Sequence, residues 1–518
     1  MCAPRHRPYR RDMASPSRPG RVRRILLGAG ALALTLVLAI AGLVTWTWAR
    51  ADVSTVGTTE FARPLAIPPL APSTVDPDGA RVFALDMRSG TTEFEPGRST
   101  ETWGFNGSYL GPTLRAARGE QVRVRVRNQL PEASTVHWHG MHLPAKMDGG
   151  PHQMVDAGQT WTPEWTVAQP ASTLWYHPHP HGATEDHVRR GLAGLFLVDD
   201  DAATALPLPD AYGVDDIPVI VQDIRLRGDR FDGSHATFRD VGFLGDRLLV
   251  NGTLAPYQEV GDELVRLRLL NASTARIYNF AFRDSKRFSL IASDGGLLER
   301  PETMTAVRLS PGERAEIVVR MHPGERAVLR SEQLDVGLDF WTNRFSGGDD
   351  RFDVLELRAA DALRPSPALP DTLVPPSTPD GSDTAVERHF DLTLAGINGA
   401  PMAMDRVDAT VTRGTTEKWV VRNADGMPHN FHVHDVQFRV LDYAGAPPPP
   451  ELTGAKDTIF LPPNTTATLA LRFDGPADPD TPYMYHCHLL WHEDLGMMGQ
   501  FVVVEPGQQA GTPPRHAH

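Results

Sequence analysis

Residues 105–128 read "FNGSYLGPTLRAARGEQVRVRVRN". In the last nine of them Val122, Val124 and Val126 alternate with Arg123, Arg125 and Arg127. A period of two marks a strand with one dry face and one wet face. The Asn-Gly pair at its start is a turn former. The pattern returns as "VNGTLAPYQEVGDELVRLRLLN" at 250–271 and as "INGAPMAMDRVDATVTRGTTEKWVVRN" at 397–423. The Asn-Gly pairs begin at 106, 251 and 398, a spacing of about 145 residues. That is too long for a solenoid unit and suits a duplicated domain. Short alternating runs between Gly, Pro and Asn turns, with little helix, predict an all-β chain of three Greek-key β-barrel domains.

The rest of the chain is organised around this repeat. Breaks are expected at the acidic, proline-bearing 199–218 and at the proline-rich 364–383. They delimit domains at 52–205, 206–375 and 380–506. Residues 63–78, "RPLAIPPLAPSTVDPD", read as a linker. The first 50 residues carry nine arginines against one aspartate, a balance of +8, which leaves −21 on residues 51–518 out of the total of −13. A body that acidic argues against nucleic-acid partners. The apolar run Ile25–Trp48 follows Arg23-Arg24 and precedes Ala49-Arg50-Ala51. It reads as a segment 1–51 that is either an export signal, of twin-arginine type, or an uncut membrane anchor. Both place the body outside the cytoplasm: periplasmic, on the cell surface or secreted.

Chemistry concentrates in four histidine clusters. They are "HWHG" with His137 and His139, "HPHPHG" with His177, His179 and His181, "HNFHVH" with His429, His432 and His434, and "HCHLLWH" with His486, His488 and His492. Two clusters follow the first repeat and two the third. Counted from the closing asparagines at 128, 271 and 423, His137 and His432 align with Phe280, and His139 and His434 align with Phe282. The middle repeat is therefore expected to be scaffold, with the site shared by its neighbours. An H-x-H pair in a strand puts both imidazoles on one face. Four such pairs supply eight imidazoles, more than one metal takes, so a polynuclear centre is expected.

Cys487 lies between His486 and His488 and so points to the opposite side of that strand. It is one of two cysteines, the other being Cys2. His492 and Met497 follow at five-residue steps, and His429 stands outside the H-x-H pairs. Two histidines, a thiolate and a weak axial methionine make a blue-copper electron-transfer set.

With these motifs in order, the chain after residue 60 resembles the three-domain multicopper oxidases, the group of laccases and bacterial copper-efflux oxidases. The resemblance implies cupredoxin-like domains and four coppers per chain. It puts a type 1 copper on His429, Cys487, His492 and Met497, and a type 2 copper on His137 and His432. It puts a type 3 pair on His139, His177, His179, His434, His486 and His488. Dioxygen and a small reducing substrate are the implied partners, with electrons entering at type 1 and water forming at the cluster. Asp148 in "MDGGP" and Glu493 beside His492 resemble the family's acidic residues near the cluster, with proton supply as the implied role. His181 is expected in a supporting position behind the ligands.

Asp425 and Met427, before His429, resemble the rim residues with which copper-efflux oxidases bind cuprous ion. Residues 322–401 contain no methionine, whereas those enzymes carry a methionine-rich insert. Oxidation of phenols or aromatic amines is therefore the first expectation. Cuprous-ion oxidation and non-catalytic copper binding are the alternatives.

Overall fold

The computed structural model describes residues 19–235, 241–376 and 378–513. Cys2 and the arginines of the first 18 residues lie outside them. Residues 1–52 and 53–518 form two separate units. In the first, Pro19–Ala49 is a single α-helix. Its stretch Arg23–Ala49 has 27 residues and contains an 18-residue window with a mean hydropathy of 2.4. At ~1.5 Å per residue that is about 40 Å, enough to cross a bilayer.

The second unit is all-β and contains three cupredoxin-like domains, and the repeat signature explains how they recur. Asn106, Asn251 and Asn398 all take left-handed backbone, with φ of 60°, 49° and 54°. Each side-chain oxygen accepts a backbone N–H from the strand alongside: Asp86 (2.7 Å), Ile220 (2.8 Å) and Asp391 (2.8 Å). The closing asparagines are buried clamps. Asn128 Nδ2 donates to Glu132 O and Val155 O, Asn271 Nδ2 to Arg276 O and Leu309 O, and Asn423 Nδ2 to Met427 O and Leu461 O. A buried amide must have its donors satisfied, which is why the same residue ends all three repeats.

Between the two asparagines of each repeat runs a strand paired in parallel with an earlier one. The pairs are Gln121–Gln129 with Arg81–Glu95, Leu264–Asn271 with Asp216–Ile224, and Thr416–Asn423 with Val386–Thr393. Val122, Val124 and Val126 are fully buried, as the alternation predicts. A second sheet holds the strand that follows the closing asparagine: His137–His139, Tyr278–Phe282 or His429–Val433.

That strand corrects one expectation. In the third repeat His429 lies opposite Leu461 and His432 opposite His486. In the second, Tyr278 lies opposite Leu309 and Ala281 opposite Arg330. Leu309 and Leu461 are equivalent, since each offers its carbonyl to the closing asparagine. Tyr278 therefore matches His429, and Ala281 matches His432. The second repeat carries one extra residue between the asparagine and the strand, so counting slips by one, and a slip of one exchanges the faces. Phe280 and Phe282 are core residues, grouped with Tyr278, Leu309 and Leu329. Their counterparts are Phe431 and Val433, in the core of the third repeat.

The proline-rich 63–78 also differs from a free linker. Arg63–Pro64 pairs with Pro256–Asp262, and Ser73–Val75 pairs with Arg81–Glu95. Leu65 enters the second core. Both strands pair on one side only, at the border of a sheet, where proline costs no ladder bond.

Candidate metal centre

Eight imidazoles converge between the first and third repeats: His137, His139, His177, His179, His432, His434, His486 and His488, each at most 1% exposed. Strand pairing sets them face to face. His137 lies directly opposite His177, and His432 directly opposite His486. Directly opposed residues bring their Cβ atoms to roughly 5 Å.

Most of these rings anchor one nitrogen outward. Nδ1–H of His137 donates to Asp148 O (3.0 Å), of His432 to Asp457 O (2.9 Å), of His177 to Pro178 O (2.8 Å) and of His486 to Cys487 O (3.1 Å). His434 Nδ1–H donates to Asp148 Oδ2 (2.7 Å). His139 uses the other nitrogen: its Nε2–H donates to Asp457 Oδ1 (3.0 Å). The remaining nitrogens point inward at one another. His486 Nε2 is 3.1 Å from His179 Nε2 and 3.2 Å from His434 Nε2, and His139 Nδ1 is 3.4 Å from His177 Nε2. The Nε2 atoms of His137, His432 and His488 are buried with no hydrogen-bond partner.

Lone pairs facing one another in a dry interior are unfavourable unless a cation sits among them. Burial, the leading cause, holds His139, His177, His432 and His434 well below the usual imidazole range, and pushes His179 and His488 down to about 3. These six rings are thus neutral and ready to bind metal. The residues fit a polynuclear metal centre.

Two carboxylates border it. Glu493 is fully buried, with its oxygens 3.2 Å from His179 Nδ1 and 3.1 Å from His486 Nδ1. Burial would raise its pKa, but these two rings outweigh burial and hold it well below the carboxylate range. Asp148 reaches His434 and also lies 3.4 Å from His137 Nδ1. The following Gly149 has φ +80°, and a Cβ there would fall 1.8 Å from Val136 O. Glycine alone lets this turn press against the histidine strand.

On the other side of the His486–His488 segment, Cys487 Sγ lies 3.8 Å from His429 Nδ1 and 3.6 Å from His492 Nδ1, and those two nitrogens are 3.0 Å apart. All three side chains are fully buried. Met497 is buried in the same core as Cys487, whose N–H donates to the Met497 carbonyl (3.1 Å). Burial pushes the Cys487 thiol up to about 12, against the backbone N–H groups of Asn430 and Leu489. A thiolate here needs a cation beside it.

At the rim, Asp425 Oδ1 accepts from His429 Nε2 (3.0 Å). Burial works to raise its pKa, but the bond to His429 prevails and holds it at about 2. Met427 packs on Val241, Leu244 and Ala275. His181 is exposed, contrary to its expected supporting place.

Three neighbours of the site were not singled out in the sequence: Asp457 and Arg314, which lie in no motif, and Asn430, which sits unremarked inside "HNFHVH". Asp457 bonds His139, and Arg314 bonds Asp457. Asn430 Oδ1 accepts the His488 N–H. Among the described residues, no member of the candidate metal groups falls between 206 and 375.

Comparisons with known proteins place this geometry. Two family models described as multicopper oxidase match residues 86–203 and 372–507. A protein of Staphylococcus epidermidis named multicopper oxidase is 34% identical over 447 residues, covering 85% of this chain and 92% of its own length. A protein of Photorhabdus laumondii named cell division protein FtsP is 35% identical over 449 residues, covering 86% and 93%. Among solved structures, a laccase-like multi-copper oxidase from Ochrobactrum sp., described as acting on lignin model compounds and lignosulfonate, superposes with a TM-score of 0.77. It is 36% identical and covers 85% of this chain and 100% of its own.

Proposed function

This chain belongs to the multicopper oxidase family, and on that premise we propose that it couples one-electron oxidation of phenols or aromatic amines to the four-electron reduction of dioxygen to water. The observation that carries the reading is the continuity His486-Cys487-His488. A buried thiol set lies on one side of this segment and the eight-imidazole cluster on the other. Bound there, copper would supply the one-electron chemistry at the thiol set and the chemistry of dioxygen at the cluster. His429, Cys487, His492 and Met497 would hold type 1. His137 and His432 would hold type 2, and His139, His177, His179, His434, His486 and His488 the type 3 pair, four ions in all.

The protein's own groups do the rest. The outward hydrogen bonds fix which nitrogen of each ring faces inward. Cys487 and its flanking histidines give electrons a short covalent path. Glu493 and Asp148, each within reach of two cluster histidines, are the acidic groups by which the protons that water formation consumes reach the cluster. His429 and His492 are fully buried, so a reductant meets a rim rather than the rings. Asp425 belongs to that rim and is partly exposed, bonded to His429.

The rim favours an organic reductant over cuprous ion. Asp425 already accepts from His429, from Met427 N (2.9 Å) and from Leu394 N (2.8 Å), and Met427 is engaged in an apolar cluster. The full donor set favours an oxidase over a structural role of the kind the name of the cell division relative describes. We place the domains at 52–205, 206–375 and 380–506. We take the helix Pro19–Ala49 as an export signal or anchor that puts the body outside the cytoplasm.

Oxygen uptake by the copper-loaded protein with phenols, aromatic amines and cuprous ion tests this. We expect one dioxygen consumed per four phenols oxidised. Uptake on cuprous ion alone would make metal oxidation the function. Uptake on no reductant would leave a copper-binding protein.

A further inference from the structure

The second repeat offers no donor imidazole among the described residues, yet its loop Ser310–Arg314 reaches the cluster. Gly312 has φ +86°, and a Cβ there would come within 3.2 Å of the His139 and His488 rings. Asn430 Nδ2 donates to Ser310 Oγ (3.2 Å) and Pro311 O (3.0 Å). Arg314 is fully buried, and its guanidinium reaches all three repeats. Nε donates to Thr173 O (3.0 Å), in the strand that ends at His177. Nη1 donates to Gly312 O (3.1 Å) and Nη2 to Asp294 O (2.9 Å), both in the second repeat. Nη1 and Nη2 also grip the two oxygens of Asp457, at 2.7 Å and 2.6 Å.

A fork-to-fork pair of this kind fixes a carboxylate in direction as well as place. Asp457 Oδ1 also takes the Nε2–H of His139 and the hydroxyl of Thr458 (2.9 Å). That hydroxyl lies 3.1 Å from His432 Nδ1. His139 is the one ring in the cluster whose Nε2 is bonded to a carboxylate, and this leaves Nδ1 to face His177.

We propose that Arg314 is a positioning residue for the histidine cluster: it locks Asp457, and through Asp457 it sets the tautomer and direction of His139 and the setting of His432. The inference rests on the reading of the cluster as a copper site. The repeat without donors thereby decides how two donors from the other repeats present themselves.

The test uses Arg314→Lys and Asp457→Asn, with Arg268→Lys as control. Arg268 is also buried at the same junction and donates to Thr173 Oγ1 (2.8 Å), but its carboxylate partners, Asp216 and Glu316, bond none of the histidines. Replacing the carboxylate partner of a metal-bound histidine costs about 10- to 100-fold in metal affinity. We expect both test variants to lose cluster copper to a chelator about tenfold faster or more. Their electron paramagnetic resonance signal from cluster copper should change, while the blue absorption of the thiol site stays. Arg268→Lys should match the wild type. Unchanged copper loss and spectrum in the test variants would overturn the inference, as would equal loss from the thiol site or in the control. If the substitutions lower the yield of folded protein, the spectrum of the fraction that retains blue absorption decides. A wild type that binds no cluster copper would instead sink the copper reading itself.

Discussion

The strand Tyr278–Phe282 and the strand His429–Val433 occupy the same place in two copies of one barrel and are used differently. Their inward faces agree at two places, Phe280 with Phe431 and Phe282 with Val433, and differ at the third, where Tyr278 stands in the place of His429. Their outward faces do not agree. The third repeat shows His432 across from His486, while the second shows Ala281 across from Arg330, which is paired with Asp353 (2.7 Å). At these two places the barrel interior keeps packing residues in both copies, while chemistry enters the third repeat at its outward His432 and at the end of its inward face, where His429 stands in the place of Tyr278.

The largest effect is expected at Cys487→Ser. Without sulfur the blue absorption should vanish, and oxidation of phenols should fall below detection. The cluster donors remain, so copper analysis should still find roughly three ions per chain; one or fewer would show that the two sites do not load separately.

Next comes the inward face. Phe280→Ala should cost ~3–5 kcal/mol, the usual range for emptying a buried aromatic site. Asn279→Ala, on the outward side of the same strand, should cost about 1 kcal/mol or less. Urea denaturation followed by near-ultraviolet circular dichroism measures both. Equal costs would undo the register that puts Ala281 opposite Arg330.

A gain of function sharpens the same point. Ala281→His with Arg330→His should build a directly opposed imidazole pair and bind one extra Zn²⁺, seen by calorimetry. Phe280→His with Ser331→His uses the other face and should lower stability without adding a metal.

The smallest effect concerns the axial donor. Met497→Leu removes a weak thioether, so the type 1 potential should rise while the colour persists. A rise on the order of 60 mV is tenfold in a one-electron equilibrium. Spectroelectrochemical titration reads it, and a fall in potential would count against Met497 as a ligand.

The candidate donors were legible in the sequence because they are local. Alternation holds for His137 and His139, which share one strand, whereas the strands carrying the other pairs end at His177, Val433 and His486, before the second ring; C-x4-H-x4-M put three residues of the thiol set within one short stretch. The repeat was legible because its opening asparagines take left-handed backbone and its closing asparagines are buried and clamp two carbonyls each. Two things were hidden. The single extra residue before Tyr278 leaves no mark in composition, yet it exchanges the faces of a strand, so counting matched Phe280 to His432 when Ala281 stands there. Arg314 and Asp457 are 143 positions apart, and neither sits in a pattern that points to the other. Only the meeting of three barrels brings them behind His139.

Anomalous diffraction at the copper absorption edge from crystals of the loaded protein tests the central claim most directly. The expected map has one peak between Cys487, His429 and His492 and three among the eight imidazoles, each bonded only to residues of the first and third repeats. A peak bonded to any side chain from residues 206–375, or a single peak in the cluster, would contradict the account.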